Sequence, residues 1–227
     1  MCCSGLRRGG APGGTGLHMM WESTAPTAST TGALGCAPYA PHSPVAPGQA
    51  QLLPVVLVLA SGRGARFTAS GGSTHKLQAD LGGKTVLQRT LDAVRASGLC
   101  WHLEDGGHPG MGDSIAAAVR ATRNAPGWMV LPADLPLVQP HTLLQVAQEP
   151  LGGAAVLVPV FKGQRGHPVR FAAACRVALE TLEGNTGAAH VVRAQAAIKM
   201  IVNDGGCVMD IDTVDDLQRA RAWLQRR

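Results

Sequence analysis

The chain has 227 residues, a formal net charge of +5, 45% hydrophobic and 15% charged residues, 29 Gly and 15 Pro. At roughly 100–200 residues per domain this length holds one full α/β domain or two small ones, and with aromatics at 4% the core has to be built from Val, Leu, Ile and Ala. The longest apolar run, residues 52–60, is interrupted by Pro54 and falls far short of the ~20 residues of a membrane span, which excludes an integral membrane protein.

The basic excess is spread along the chain with no Lys/Arg block, unlike the clustered face of a nucleic-acid binder, and is available to an anionic small molecule. Six cysteines (Cys2, Cys3, Cys36, Cys100, Cys175, Cys207) form no CxxC pair, and the chain is too long for a disulfide-stapled miniature, so they read as reduced thiols of a cytoplasmic protein.

Residues 1–50 carry Gly-Gly pairs, six prolines and only Arg7, Arg8 and Glu22 as charged side chains. Such a composition buries too little apolar surface to offset chain entropy, so a disordered, low-complexity leader is expected there. Arg7-Arg8 is not followed by the apolar run of a secretory signal; a transit-type peptide and a dispensable leader both stay open.

From residue 51 to 227 strands and helices alternate. Val55-Val56-Leu57-Val58-Leu59 reads as a strand buried on both faces. A helix follows over 84–97 with Gly98 as its stop, then room for a short strand around Trp101-His102-Leu103, and an Ala-rich helix over 114–122. Residues 128–131 form a buried strand, and Pro140 opens a helix at the favoured first position. A strand at 154–160, a helix at 172–182 and a strand at 198–202 come next. The last helix starts after Thr213, with Asp215 and Asp216 in its first turn and Arg226-Arg227 at its end, a charge order that suits the helix dipole. The alternation predicts a mostly parallel sheet covered on both sides, with ligands bound beyond the carboxyl ends of the strands.

The loops that leave the strands therefore matter most. After the first strand comes Leu59-Ala60-Ser61-Gly62-Arg63-Gly64-Ala65-Arg66, with Lys76 ten positions on. A strand running into a Gly-rich turn exposes N–H groups that can cradle phosphate, and Arg63, Arg66 and Lys76 add positive charge. The loop is neither GxGxxG nor GxxxxGK[ST], and no acidic residue ends a second strand about 20 residues on, which disfavours a NAD-type domain. The strand at 128–131 runs into Pro132-Ala133-Asp134-Leu135-Pro136; a carboxylate there suits Mg²⁺, which takes one or two carboxylates plus phosphate oxygens. In Asp210-Ile211-Asp212 alternation puts the two acids on one side, where either could complete the metal site. Gly110-Met111-Gly112-Asp113-Ser114 reads as a helix entry, and His167 in Gly-His-Pro-Val-Arg-Phe stands alone. No catalytic triad stands out, and His75, His102, His108 and His141 lack zinc spacing.

Taken in order, LASGRGAR…K, GMGDS, ADLP, GHPVRF and DIDTVDDL resemble the MobA/MocA-like NTP transferases over about residues 54–227, most of all the molybdenum cofactor cytidylyltransferases. The resemblance implies a three-layer, Rossmann-like nucleotidyltransferase fold of the nucleotide-diphospho-sugar transferase type. It also implies roles. Leu59, Ala60, Ser61, Gly62, Arg63 and Gly64 would hold the nucleotide, with Arg66 and Lys76 on its phosphates. Gly112 and Ser114 would lie beside the base, with Ser114 its polar contact. Asp134 and Asp212 would hold Mg²⁺, with Asp210 the competing second ligand, and the turn at His167 would face a phosphorylated pterin. Lys76, Arg66 and Asp134 are then the catalytic candidates.

The chain departs from that family twice. Nine residues, 67–75, separate Arg66 from Lys76, giving a longer loop, and only residues 99–109 stand where relatives carry a further strand–helix–strand. The sheet is expected to be one strand–helix unit shorter. The reading is a Mg²⁺-dependent cytoplasmic nucleotidyltransferase using CTP or GTP, with CTP favoured, and a phosphorylated acceptor such as molybdopterin. A molybdenum hydroxylase is a further expected partner; nucleic acid and membrane are not. Two alternatives stand beside it: a transferase acting on a sugar phosphate, and a non-catalytic carrier of the molybdenum cofactor.

Overall fold

Val55–Leu59 (β2) is buried from Val56 onward, and its alternate residues feed two different cores. Val56 and Val58 join one cluster with Met129, Leu131 and Leu157. Leu57 joins the other with Trp128, Val130 and Val158. A strand with helices on both faces has no polar side, which is why it reads as an unbroken aliphatic run. The computed structural model describes residues 34–35 and 53–226, which fall in one unit, residues 31–227. The rest of the expected leader lies outside the described residues. Its Leu34–Gly35 forms a two-residue edge strand (β1) antiparallel to the strand at Trp101–Glu104.

After β2 come α1 (Ala65–Ala69), a 3-10 turn (Lys76–Gln78) and α2 (Val86–Ala96). A capping box between Thr85 and Gln88 starts α2, and Gly98, at φ 70°, takes the left-handed conformation that ends it. Next are β3 (Trp101–Glu104), α3 (Met111–Ala121), β4 (Gly127–Pro132) and α4 (Pro140–Gln148). The final part holds β5 (Val156–Phe161), β6 (Gln164–Arg165), β7 (Val169–Ala172), α5 (Arg176–Glu180), α6 (Ala189–Ala194), β8 (Ala197–Ile201) and α7 (Val214–Gln225).

The order across the sheet is β1-β3-β2-β4-β7-β5-β6, with β8 also on β5. The two longest pairings, β2 with β4 and β5 with β8, are parallel, as is β2 with β3. Antiparallel β7 is wedged between β4 and β5, so the sheet is mixed within a mostly parallel frame. With Trp101–Glu104 alone between α2 and α3, the sheet has the shortened middle expected.

Three expectations needed correction. The helix expected at 172–182 is a strand end at Ala172, a 3-10 turn at Ala173–Cys175 and a short helix. The Ala-rich helix begins at Met111, so the Gly-Met-Gly-Asp-Ser segment lies in its first turn. The long segment after Arg66 is partly helical, anchored by Phe67, which is buried. Strand β7 was hidden because its inward residues include Arg170. That side chain is buried and donates from Nη1 to the carbonyls of Val146 (3.1 Å) and Glu149 (2.7 Å). It thereby satisfies orphan carbonyls at the end of α4, and burial holds its pKa below the ordinary arginine value.

Candidate active site

The carboxyl ends of β2 and β4 lie side by side, with Leu59 opposite Pro132, and the loops leaving them open a cavity of about 650 Å³. From β2 the chain turns through Gly62, where an added Cβ would meet nothing within 4 Å, and Gly64, at φ 65°. The second position favours glycine because its φ is positive; the first leaves its backbone open to a ligand. His75 fastens this turn. Its Nδ1 accepts from the N–H of Leu77 (3.4 Å), so the proton sits on Nε2, which donates to the carbonyl of Gly62 (2.8 Å).

Lys76 is nearly buried, 9% exposed, and its Nζ sits between two carboxylates, donating to Asp134 Oδ2 (2.6 Å) and Asp212 Oδ1 (2.9 Å). Arg66 pairs with the other oxygen of Asp212 at 2.8 Å. Burial would lower the Lys76 pKa, but the charges and hydrogen bonds of Asp134 and Asp212 raise it instead, so the ammonium is kept.

Asp212 is positioned by the start of α7. Asp216 Oδ2 accepts from the N–H groups of Asp212 (3.1 Å) and Thr213 (2.7 Å), while Thr213 caps the helix through the N–H of Asp216. Burial works against the Asp216 charge, yet hydrogen bonds from Thr213 and Asp212, with Arg219, hold its pKa down. The Ile211 N–H donates to the carbonyl of Asp134 at 2.9 Å, which ties the 210–212 segment to the end of β4. Asp210 also lines the cavity. Burial, then the nearby Asp212, Asp134 and Asp216 charges, push its pKa up.

Of the other expected residues, Leu59, Ser61, Arg63 and His167 line the cavity. Ala60 does not; its N–H donates to the Glu104 carbonyl (2.8 Å) and holds the loop against β3. Ser114 and Gly112 stand back from it too. Ser114 is fully buried, donates to the Gly110 carbonyl at 3.0 Å and hydrogen-bonds Ser61. It positions the Gly-rich loop rather than offering a polar group to a base. A Cβ at Gly112 would come within 2.7 Å of the Glu183 and Thr186 carbonyl oxygens, so that glycine answers to backbone packing.

Sequence reasoning passed over His108, which lines the cavity. Its Nε2 meets Glu104 Oε1 at 3.0 Å, and that carboxylate also faces His102 Nε2 at 3.4 Å and accepts from the Gly106 N–H. Zinc spacing was the wrong filter for these histidines; the position of His108 in the loop after β3 was the available signal. Gln164 and Arg165, on the β5–β6 hairpin, reach the cavity as well and carried no motif of their own.

The donor set fits a divalent ion that shares its ligands with phosphate. Asp134 Oδ1 is buried with no hydrogen-bond partner among the described residues, which is costly for a carboxylate unless a cation completes it. Among the described residues no group of three or more His, Cys, Asp or Glu forms a complete metal cage. Mg²⁺ in nucleotide enzymes needs none: one or two carboxylates suffice when the substrate supplies the remaining oxygens.

Residues 94–198 match the family model of the MobA-like NTP transferase domain. The matched stretch runs from the end of α2 into β8, and the Gly-rich loop, Lys76 and Asp212 lie on either side of it. No curated protein matches the sequence significantly. Among solved structures, the chain is similar to Rv0371c of Mycobacterium tuberculosis H37Rv at 25% identity and TM-score 0.58, over 74% of this chain and 98% of that one. A manganese complex of Rv0371c gives 24% identity and TM-score 0.59, over 75% and 98%. A nucleotidyl transferase from Methanothermobacter aligns at 20% identity and TM-score 0.63, over 77% and 98%. Molybdopterin-guanine dinucleotide biosynthesis protein A from Archaeoglobus fulgidus aligns at 20% and 0.57, over 76% and 99%. The fold is that of the nucleotidyltransferases. No helix among the described residues is long and apolar enough to cross a membrane.

Proposed function

We propose that the transferase domain moves a nucleoside monophosphate, CMP by preference, from an NTP to a phosphorylated acceptor, the molybdopterin cofactor, and releases pyrophosphate. The observation that carries this reading is the meeting of Lys76, Arg66, Asp134 and Asp212 at the carboxyl ends of β2 and β4. An acceptor phosphate oxygen attacks the α-phosphorus, the new P–O bond forms, and the bond to the β-phosphate oxygen breaks with its electrons leaving on pyrophosphate. The nucleophile is already ionised near neutral pH, so no general base is required.

The chain's own work is placement and charge. The turn at Gly62–Gly64 offers N–H groups to the phosphates. Arg63 and Arg66 face the same cavity and neutralise charge there, while Lys76, released from one carboxylate, follows the charge that builds at the transferred phosphoryl. Asp134 and Asp212 would hold Mg²⁺, which when bound screens the phosphates and polarises the α-phosphoryl group. Manganese in the Rv0371c complex supports a divalent ion in this fold. The named biosynthesis protein of Archaeoglobus supports a molybdopterin acceptor, and the motif likeness to the cytidylyl branch supports CTP.

Pyrophosphate release is the direct test. The protein is supplied with molybdopterin, Mg²⁺ and each of CTP, GTP, ATP and UTP in turn, and CTP is expected to give the fastest release. Release with GTP alone would correct the base. Release with a sugar phosphate in place of molybdopterin would correct the acceptor. Absence of release with every pair would move the function to cofactor carriage.

A further inference from the structure

A second hollow of about 290 Å³ lies beside the active-site cavity, and three of its seven lining residues are cationic: Arg165, Arg193 and Lys199. They come from separate elements, β6, the last turn of α6, and β8. Lys199 stands opposite Val158 in the parallel β5–β8 pair. Val158 belongs to the core on the α3, α5 and α6 side, so Lys199 projects toward α6 and Arg193.

Two features set this hollow apart from an ordinary basic surface. First, none of the three side chains makes an ion pair or side-chain hydrogen bond with another described residue. The cations beside the carboxylates of the active-site cavity are paired: Lys76 with Asp134 and Asp212, Arg66 with Asp212. Three like charges around one small concavity repel one another, and an anion is the species that relieves them. Secondly, Arg165 lines both cavities. The two cavities therefore adjoin at Arg165, on the side of the β5–β6 hairpin.

We propose that this hollow is an anion subsite for the acceptor: it holds a second anionic group, of phosphate or similar class, beyond the phosphate that attacks. Arg165 spans the two groups, and Arg193 with Lys199 grips the distal one. The volume is below the ~300–1,000 Å³ of drug-sized ligand pockets, too small for a nucleoside triphosphate and suited to one oxyanion with its stem. The inference rests on the transferase reading for the word acceptor, but the anion site itself does not.

The test uses the intact protein and two named probes, glycerol 3-phosphate with one phosphate and fructose 1,6-bisphosphate with two. Binding is measured at fixed ionic strength in the wild type, in R193Q/K199Q and in R63Q, whose substitution lies in the Gly-rich loop. The wild type is expected to bind the bisphosphate at least tenfold more tightly than the monophosphate. That preference survives in R63Q and vanishes in R193Q/K199Q, whose wild-type urea unfolding midpoint is the proof of an intact fold. Equal binding of both probes by the wild type, or an undiminished preference in R193Q/K199Q, overturns the subsite. If the preference behaves as expected but no NTP binds, the anion site stands, the transferase reading fails, and the hollow serves a free anion instead of an acceptor.

Discussion

Lys76 holds two carboxylates together, and this decides what each substitution at the site should do. Replacing Asp134 by Asn removes one charge but keeps the shape. Lys76 retains Asp212, so the fold should persist while a ligand for the ion is lost. Loss of a single electrostatic stabiliser of a transition state typically lowers turnover by ~10²–10³-fold, and D134N is expected in that range. Pyrophosphate release and a thermal melt on the same preparation check it, and near-normal turnover with Mg²⁺ would rule out Asp134 as a metal ligand.

His167 makes a different prediction. Desolvation lowers its pKa, with the Val130 carbonyl and Asp134 opposing only in part. A histidine harder to protonate when folded contributes stability that is present above its unfolded pKa and lost as the pH falls through the folded value. Between pH ~7.5 and ~5, wild-type stability should therefore decline more steeply than that of H167Q, as urea unfolding would measure. Parallel pH profiles would show that His167 has no part in that decline. The sequence made Asp134 legible because it follows β4, and Lys76 and Asp212 because they stand in the ordered motifs that resemble the NTP transferases. It could not separate Ser61, on the cavity wall, from Ser114, fully buried behind it, because depth is set by how α3 docks against the loop at 183–186.

That docking is where the helices make their own demands. A Cβ at Gly110 would fall 2.1 Å from the carbonyl carbon and oxygen of Gly184, and backbone cannot rotate away as a side chain can. Gly110→Ala should thus cost about 2 kcal/mol or more, at the upper part of the range for overpacked sites, with the loss read from the urea midpoint. A wild-type midpoint in G110A would show that the 183–186 loop gives way freely. At α7, Asp216 completes the capping box with Thr213 and holds the N–H of Asp212. Asp216→Ala should cost ~1 kcal/mol as a lost cap and also raise the Mg²⁺ concentration needed for half-maximal turnover. A stability loss with unchanged metal dependence would separate the cap from the site.

Elements with a clear helical period, α2 and α7, or an unbroken aliphatic run, β2 and β4, were readable from the chain alone. Those fixed by long-range pairing were not. Strand β7 has only four residues and carries a buried arginine whose partners, the carbonyls of Val146 and Glu149, are set by the end of α4. Helices α1 and α6 have five and six residues, too short to show a period.

Across the whole molecule, the active site as it stands is balanced internally: Lys76 and Arg66 oppose Asp134 and Asp212. A triphosphate alone brings negative charge to a cavity already holding two carboxylates. A triphosphate with Mg²⁺ brings a cation for Asp134 and Asp212 and frees Lys76 and Arg66 for the phosphates. Nucleotide and metal should consequently stabilise the fold together far more than either does singly. At a hundredfold excess over Kd, binding to the native state adds about 2.7 kcal/mol, and for a domain of this size each kcal/mol moves Tm by roughly 2–4 °C. Thermal unfolding with CTP and Mg²⁺ together should then shift Tm by about 5–10 °C, with CTP alone or Mg²⁺ alone giving much smaller changes. Equal shifts with and without the metal would mean that the phosphates are held by the Gly-rich loop and arginines alone, and that Lys76 never leaves its two carboxylates.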